Sequence, residues 1–504
     1  MEITSGSAPP EDSPQVGQTM SGPGHPSAGG KKLRWQLFTN SAAQAVGRLL
    51  VALVRLVIAG ILVRAYGKES FGEYSLVMGL LTVADWLVDF GTTDVFVREY
   101  SRQPADGRRL LRILTLTRCI QIPAAALVLI GVGAALRYPP HVLLAILTGS
   151  LNLIFFGGVL IYRVIFRAEL TIEHESIAEL VSVLSMLPMV ALTVRWHGGL
   201  VALLLCHVVS RVIYFTVCWW FGRSRFSLST KDAGRADVRQ ALQSSAVIGV
   251  IGFLIGGHET IDVVVLSKLA SLTDLAYYSA AQRLIWPVLM VLGSVAGTFY
   301  PVYASFWVNR RPDFDGLCQR ALETILLLAG AASAVALASA EFMMGLLGPD
   351  LVGGAAALRL LSVLCFLKSI TSTLGPVLYA VQAQNQALRF IVCAVLAKAS
   401  LMVVLAPAYG YMGVAIGALV VEVLAGVIPT AVMVRKYAGY RVHWLCPAKI
   451  FAIMAVAGSV PRLILPPGSW MAGGVALLMY GALAILTGTF RPAELAALIK
   501  ERKA

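Results

Sequence analysis

Windows of about 20 mainly apolar residues, the length of one helical crossing of a bilayer, follow one another from about residue 38 to 489 with only short polar breaks. Such a chain has no room between the windows for a soluble catalytic domain. Its composition agrees: 58% of the 504 residues are hydrophobic and 13% charged, with a mean hydropathy of +0.76. Soluble domains run at roughly 45–50% apolar and 25% charged. The fold class is therefore all-α and polytopic, with about 14 transmembrane helices.

The apolar windows predict spans at 39–63, 72–97, 110–136, 141–162, 177–194, 199–221, 241–266, 275–306, 321–347, 355–381, 388–408, 411–434, 447–466 and 470–489. An even number puts both termini on one side. Sorting the 41 Lys and Arg residues on this topology leaves 27 on the side of the termini, six opposite and eight within spans. Cytoplasmic loops carry the excess of Lys and Arg, so both termini are expected in the cytoplasm. The net charge of +14 then reports orientation, and no nucleic-acid partner is implied.

Residues 1–32, rich in Pro, Gly and Ser, bury too little to order themselves and read as a disordered cytoplasmic tail. They contain no apolar core of a signal peptide, so the first span is expected to act as its own insertion signal. The seven cysteines are scattered through apolar segments without the paired spacing of a disulfide framework or a zinc site. No metal or cofactor is expected, and no complete G-x-x-x-x-G-K-[ST] phosphate loop occurs.

The chain also repeats itself. LVRAYGKESFGEYSLV (62–77) lies without gaps over LSKLASLTDLAYYSAA (266–281), an offset of 204 residues. FRAELTIEHESIAELVSVL (166–184) lies over AVQAQNQALRFIVCAVLAK (380–398), and GGLVALLL (198–205) over MGVAIGAL (412–419), both at an offset of 214. Two parallel six-helix repeats follow, forming two lobes, with two extra C-terminal helices. The expected division is an N-lobe at 33–222, a basic cytoplasmic linker at 223–240, a C-lobe at 241–437, spans 13 and 14 at 438–490, and a cytoplasmic tail at 491–504. Parallel repeats of this kind enclose a site between lobes that rock for alternating access.

The segment YGKESFGEYSLVMGLLTVADWLVDFGTTDVFVREYSR (66–102), with its aspartate-aromatic-glycine turn at Asp89, Phe90 and Gly91 and the basic loop after it, resembles the opening of polysaccharide transporters. The run LGPVLYAVQAQNQALRF (374–390) ahead of a glycine-rich span resembles them too. Over roughly residues 33–490 the chain is similar to the multidrug/oligosaccharidyl-lipid/polysaccharide exporter superfamily, in its Wzx-type oligosaccharide flippase branch. The resemblance implies a non-enzymatic flippase of the bacterial inner membrane. It would move an undecaprenyl-pyrophosphate-linked oligosaccharide repeat unit between leaflets for surface polysaccharide synthesis. Membrane lipids, the polyprenyl-pyrophosphate-linked glycan, a polysaccharide polymerase and chain-length proteins are the partners this implies.

The sharpest local feature is VGRLLVALVRLVIAG (46–60), a span with two arginines. On insertion scales Arg48 and Arg55 together oppose membrane entry by roughly 5–7 kcal/mol. Ser41, Gln44, Arg48 and Arg55 share one helical stripe, whereas Leu50, Leu53, Val54 and Val57 suit lipid or neighbouring helices. Thr82, Asp85, Asp89 and Thr93 form an acidic face on the next span. Arg48 therefore has two rival partners, an ion pair with Asp85 or Asp89 and an anionic substrate.

Arg118, Arg211, Arg283, Arg359, Lys368 and Lys398 also fall within spans. Arg211 and Arg359 read as snorkelling from helix ends. Arg48, Arg55, Arg118, Arg283, Lys368 and Lys398 are the candidates for holding a pyrophosphate, for which the planar guanidinium fork is suited. Subtracting 204 from Glu259 gives Arg55, so these two are expected to meet across the lobes as a periplasmic gate. His258, Glu259 and Asp262 cluster on span 7, either as an ion-coupling site or as a hydrogen-bonded structural group. The tyrosines and tryptophans at 277–307 read as packing and interfacial residues.

The excess of buried cations sets the order of functions. A cation-coupled multidrug exporter of the same superfamily should favour an acidic cavity, and a lipid II flippase remains open as a variant of the main reading. A membrane glycosyltransferase or polymerase would need active-site loops longer than the chain provides.

Overall fold

The computed structural model describes the backbone of residues 28–224 and 234–489, with side chains from 47 onward except at 104 and 384–389. The described residues from Gln44 onward belong to one compact unit. Of the expected tails, 1–27 and 491–504 lie outside the described residues, whereas 28–32 belong to the first turns of a helix; of the expected linker at 223–240, residues 225–233 lie outside them.

Every long element is a helix, as the period of the apolar residues predicts. In chain order they are α1 Ala28–Asp89, α2 Thr92–Arg102, α3 Gly107–Ala135, α4 Pro140–Ser150, α5 Asn152–Ala168, α6 Ile172–Arg195, α7 Leu200–Gly222 and α8 Arg235–Leu269. There follow α9 Leu272–Asn309, α10 Phe314–Ala338, α11 Ala340–Leu347, α12 Ala355–Ala380, α13 Gln384–Val421, α14 Ile428–Met433, α15 Leu445–Ile464 and α16 Met471–Leu486. Helix α8 begins at Arg235, inside the stretch expected to be linker.

Eleven helical stretches are long and apolar enough to cross a membrane. Two of them cross twice, because the chain folds back at a left-handed glycine: Gly67 (φ 77°) in α1 and Gly410 (φ 54°) in α13. Arg55 and Asp85 of α1, which a straight helix would hold about 45 Å apart at 1.5 Å per residue, line one cavity. With the shorter apolar α16 the described residues supply fourteen apolar helical segments for crossings.

The repeat is visible in the turns. Gly67 corresponds at the 204-residue offset to Ser271, which caps α9 and accepts a hydrogen bond from the Asp274 backbone N–H at 3.0 Å. The second offset needs correction. Leu170 and Gln382 both take φ 58°, and each is followed by the same wide bond, Thr171 N–H to Phe166 C=O and Ala383 N–H to Leu378 C=O, both 2.8 Å. These landmarks lie 212 residues apart, two fewer than the sequence overlay suggests. Identical apolar residues attract an ungapped overlay even where the turns have slipped.

α5 packs on α2 and α7, and α6 on α7; α12 packs on α9, α10 and α13, and α15 and α16 dock on α10. The second limb of α1 runs antiparallel to α8 along a seam of small residues. Gly72 abuts the Leu272 carbonyl, Gly79 meets Val263, Gly256 meets Trp86, and Gly91 meets Gly249. At the last of these the constraint is double, since Gly91 has φ 70° and a Cβ there would lie 2.7 Å from Gly249 N. Gly91→Ala is expected to cost about 1–2 kcal/mol for the left-handed backbone and about 1–3 kcal/mol more for overpacking. Thermal denaturation of the solubilised protein checks this against Gly131→Ala, where a Cβ meets nothing within 4 Å.

Candidate functional site

The energetic cost of an arginine in a bilayer is relieved when it faces a polar cavity, and four arginines share one. A cavity of about 550 Å³ lies between both limbs of α1 and α6, α7, α8 and α9. Arg48 and Arg55 reach it from the first limb, Asp85 from the second, Glu179 from α6, Arg211 from α7, Glu259 from α8 and Arg283 from α9. Leu49, Leu50, Leu53 and Val57 of α1 are exposed on its other side. Arg48 and Arg55 of the stripe read from the sequence therefore point inward, and the side chains of its other two members, Ser41 and Gln44, lie outside the described residues.

Two of the four arginines are neutralised. Arg55 Nη2 donates to Glu179 Oε1 at 3.0 Å, and Arg211 Nη2 to Asp85 Oδ2 at 3.0 Å, with its guanidinium 4.7 Å from the Phe156 ring centroid. Glu259 is engaged by Lys368 Nζ at 2.6 Å. Arg283 lies over Phe71 and Tyr74, 5.1 and 5.3 Å from their centroids, and Tyr74 Oη is 2.7 Å from His207 Nε2. Among the described residues neither Arg283 nor Arg48 has a carboxylate within ion-pair distance. The cavity thus holds two guanidinium charges with no ion-pair partner among the described residues.

This arrangement corrects several expectations. The Arg55–Glu259 gate is not formed, because each residue is held by another partner, Glu179 and Lys368. Arg48 pairs with neither Asp85 nor Asp89; those carboxylates take Arg211 and Arg118. Arg211 does not snorkel from a helix end but lines the cavity, whereas Arg359 pairs with Glu341. The signal for Arg211 lay in the polar spacing His207, Arg211, Tyr214 along the apolar run of α7, a stripe at intervals of four and three. Glu179, His207 and Trp286, which also line the cavity, were not singled out as site residues.

Arg118 lies outside this cavity. It is 2% exposed and fastens the turn at Asp89–Phe90–Gly91. Its guanidinium donates to the carbonyl of Val88, to the Asp89 carbonyl at 3.2 Å, Asp89 Oδ1 at 3.3 Å, Gln121 Oε1 at 3.0 Å and Thr93 Oγ1 at 3.1 Å. Asp89 in turn accepts from the Thr93 N–H at 3.2 Å. Phe90 (φ 38°) and Gly91 (φ 70°) are both left-handed, and Arg118 satisfies the carbonyls that this turn strips from the helix.

Lys368 and Lys398 belong to a second cluster, around a cavity of about 30 Å³ between α8, α9, α12 and α13. Besides the Lys368–Glu259 pair, Lys398 Nζ lies 2.5 Å from Asp262 Oδ1 and donates to the His258 carbonyl at 2.5 Å. Tyr278 donates to Asp262, and Thr371 Oγ1 donates to Glu422 Oε1 at 2.8 Å. Glu259 lines both cavities.

The fold is shared with solved transporters. The lipid II flippase MurJ in an inward closed conformation superposes with a TM-score of 0.71 at 12% identity, covering 88% of this chain and 98% of that one. An inward-facing multidrug resistance MATE family transporter of the MOP superfamily gives 0.63 at 14% identity, covering 78% and 99%. A MATE structure in a bent conformation gives 0.56 at 14% identity, covering 82% and 100%. No curated protein matches the sequence. The family model of the polysaccharide biosynthesis proteins matches residues 37–307, more than half of the 504. The chain belongs to the polysaccharide biosynthesis protein family and is a multi-pass membrane protein that shares its fold with flippases and exporters.

Proposed function

We propose that this protein flips an undecaprenyl-pyrophosphate-linked oligosaccharide across the bacterial inner membrane, with lobes at 33–222 and 241–437 alternating around the arginine cavity. The observation that carries this reading is the charge balance of the cavity: among the described residues Arg48 and Arg283, which line it, have no carboxylate partner, and a pyrophosphate diester brings two ionised oxygens. Guanidinium groups hold phosphate oxygens through paired, charge-assisted hydrogen bonds, and a low-dielectric wall strengthens the attraction. A cationic drug would meet two unpaired like charges in the same space, which disfavours the multidrug reading. The unbalanced distribution of Lys and Arg supports cytoplasmic termini and loading from the cytoplasmic leaflet.

The test is translocation in proteoliposomes loaded with a fluorescent undecaprenyl-pyrophosphate hexose, read by leaflet-specific quenching. Transport of that lipid and no transport of a lipophilic cationic dye is the expected result. Movement of the dye without the lipid would overturn the reading. Running lipid II beside the hexose lipid separates the flippase variants, since both share the pyrophosphate and differ in the sugar.

A further inference from the structure

We propose that the cavity contains a neutral sugar subsite beside its arginines, in which Ser75, Ser279 and Asn152 take the hydroxyls of a hexopyranose and the indoles of Trp86 and Trp286 cover its C–H faces. The subsite rests on the flippase reading, whose cargo carries such a ring next to its phosphates. All five residues line the cavity.

Ser75 and Ser279 are equivalent in the two repeats, at the offset of 204 residues. The tyrosine before each is engaged: Tyr74 Oη is 2.7 Å from His207 Nε2, and Tyr278 donates to Asp262. The serines are not. They are 5% and 4% exposed, Asn152 at the start of α5 is 5% exposed, and the side-chain oxygen of each of the three has no hydrogen-bond partner among the described residues. Elsewhere in these helices serines return the hydroxyl to a carbonyl one turn back, as Ser294, Ser362 and Ser369 do. A buried oxygen without a donor or acceptor loses its hydration for nothing. Three such oxygens around one cavity, two of them related by the repeat, point to a partner that comes from outside. A serine hydroxyl reaches it by one bond rotation.

The chemistry of the wall selects that partner. A cation is drawn to the carboxylates and an anion to the arginines, and neither requires neutral oxygens. A lipid tail would cover the tryptophans and leave all three oxygens stranded. A pyranose satisfies both, because its hydroxyls donate and accept as those of serine do and donate to the Asn152 Oδ1, while its C–H face is apolar enough to lie on an indole. Trp86 and Trp286 are both exposed, and Trp86 is seated against Gly256 of α8, where any Cβ would collide with the indole.

The placement suits a sugar joined to phosphate. Ser279, Arg283 and Trp286 follow at intervals of four and three on α9, hence on one face. Phosphate and sugar contacts then lie within about one turn of each other, roughly 5.4 Å. The cavity of about 550 Å³ is in the range that encloses a drug-sized ligand, more than a pyrophosphate alone needs.

The experiment is saturation-transfer NMR of the full-length protein in lipid nanodiscs prepared without glycoside detergent. Aromatic protons are irradiated, and the methyl glycosides of glucose, galactose and mannose are added one at a time. Transfer to the ring protons of at least one glycoside is expected in the wild type. It should be lost in Trp286→Ala, weaken by about tenfold in Ser75→Ala combined with Ser279→Ala, as two lost hydrogen bonds imply, and persist in Trp470→Ala, an exposed indole outside the cavity. No transfer to any glycoside in the wild type, or equal transfer in wild type and both cavity variants, overturns the subsite. The serine variant sheds two unpartnered hydroxyls, so its thermal midpoint should hold or rise. A fall would assign the hydroxyls to folding and overturn their role in binding.

In a separate arm, the farnesyl-pyrophosphate diester of the responding hexose is compared with the methyl diester of farnesyl pyrophosphate, which has the same charge and no sugar. The hexose should tighten binding by about tenfold, and the serine variant should lose that advantage while binding the methyl diester as the wild type does. An advantage that survives in the variant overturns the subsite as part of lipid recognition. No binding of either diester overturns the pyrophosphate reading, and the glycosides still judge the sugar subsite.

Discussion

Replacing Arg48 and Arg283 together by alanine is expected to lower translocation of the pyrophosphate-linked lipid by about 10²–10⁴-fold. A hydrogen bond to a charged group contributes about 1.5–3 kcal/mol, so losing two such contacts removes about 3–6 kcal/mol. Among the described residues neither arginine has a carboxylate to abandon, so the double variant should keep its thermal midpoint and its level in the membrane. The combination of lost transport and intact folding distinguishes substrate contact from structural support. Arg48→Lys should recover part of the rate, because an ammonium keeps the charge and loses the two-pronged geometry. Arg211→Ala should behave differently, since it strands Asp85 in the cavity wall and so costs stability as well as transport. Equal transport in wild type and double variant would remove Arg48 and Arg283 from the site.

The second large effect is on folding. Arg118→Ala removes the donor that holds two carbonyls, one carboxylate, one amide oxygen and one hydroxyl around the Asp89–Gly91 turn. Breaking a buried pair by deleting one partner costs about 3–5 kcal/mol, because the remaining charge is left without compensation. The thermal midpoint of the solubilised protein should fall sharply. Arg118→Met combined with Asp89→Asn should recover part of the loss, since the double change removes both charges. A midpoint unchanged in Arg118→Ala would mean that the turn holds without its clamp.

How far the sequence could be read follows from the range of the forces involved. The crossings were legible because a helix in lipid must satisfy its own backbone and show an apolar surface, which are local demands. The inward stripe of Arg48 and Arg55 was legible for the same reason, being written within one helix. The first repeat register was legible because Gly67 and Ser271 are both chain breaks at the same offset. The second slipped because apolar helices overlay well at neighbouring offsets.

Partner choice was not legible. Arg55 meets Glu179 and Arg211 meets Asp85 across 124 and 126 residues of chain. Nothing in either stretch separates Glu179 from Glu259 as a partner for Arg55 until the helices are packed. Pseudo-symmetry suggested Arg55 and Glu259 because it constrains backbones, whereas ion pairs follow side-chain reach.

The separation between Arg55 and Glu179 also has a consequence for biosynthesis. At roughly 5–20 residues per second, the 124 residues between them take about 6–25 s to emerge. Throughout that interval the span at 47–66 contains a guanidinium whose counter-charge has not yet been made, and Arg48 acquires none among the described residues of the finished fold. A helix with two unpaired guanidinium groups is costly to hold in lipid alone, so a polar shelter for it at the insertion site until α6 arrives is the expected requirement.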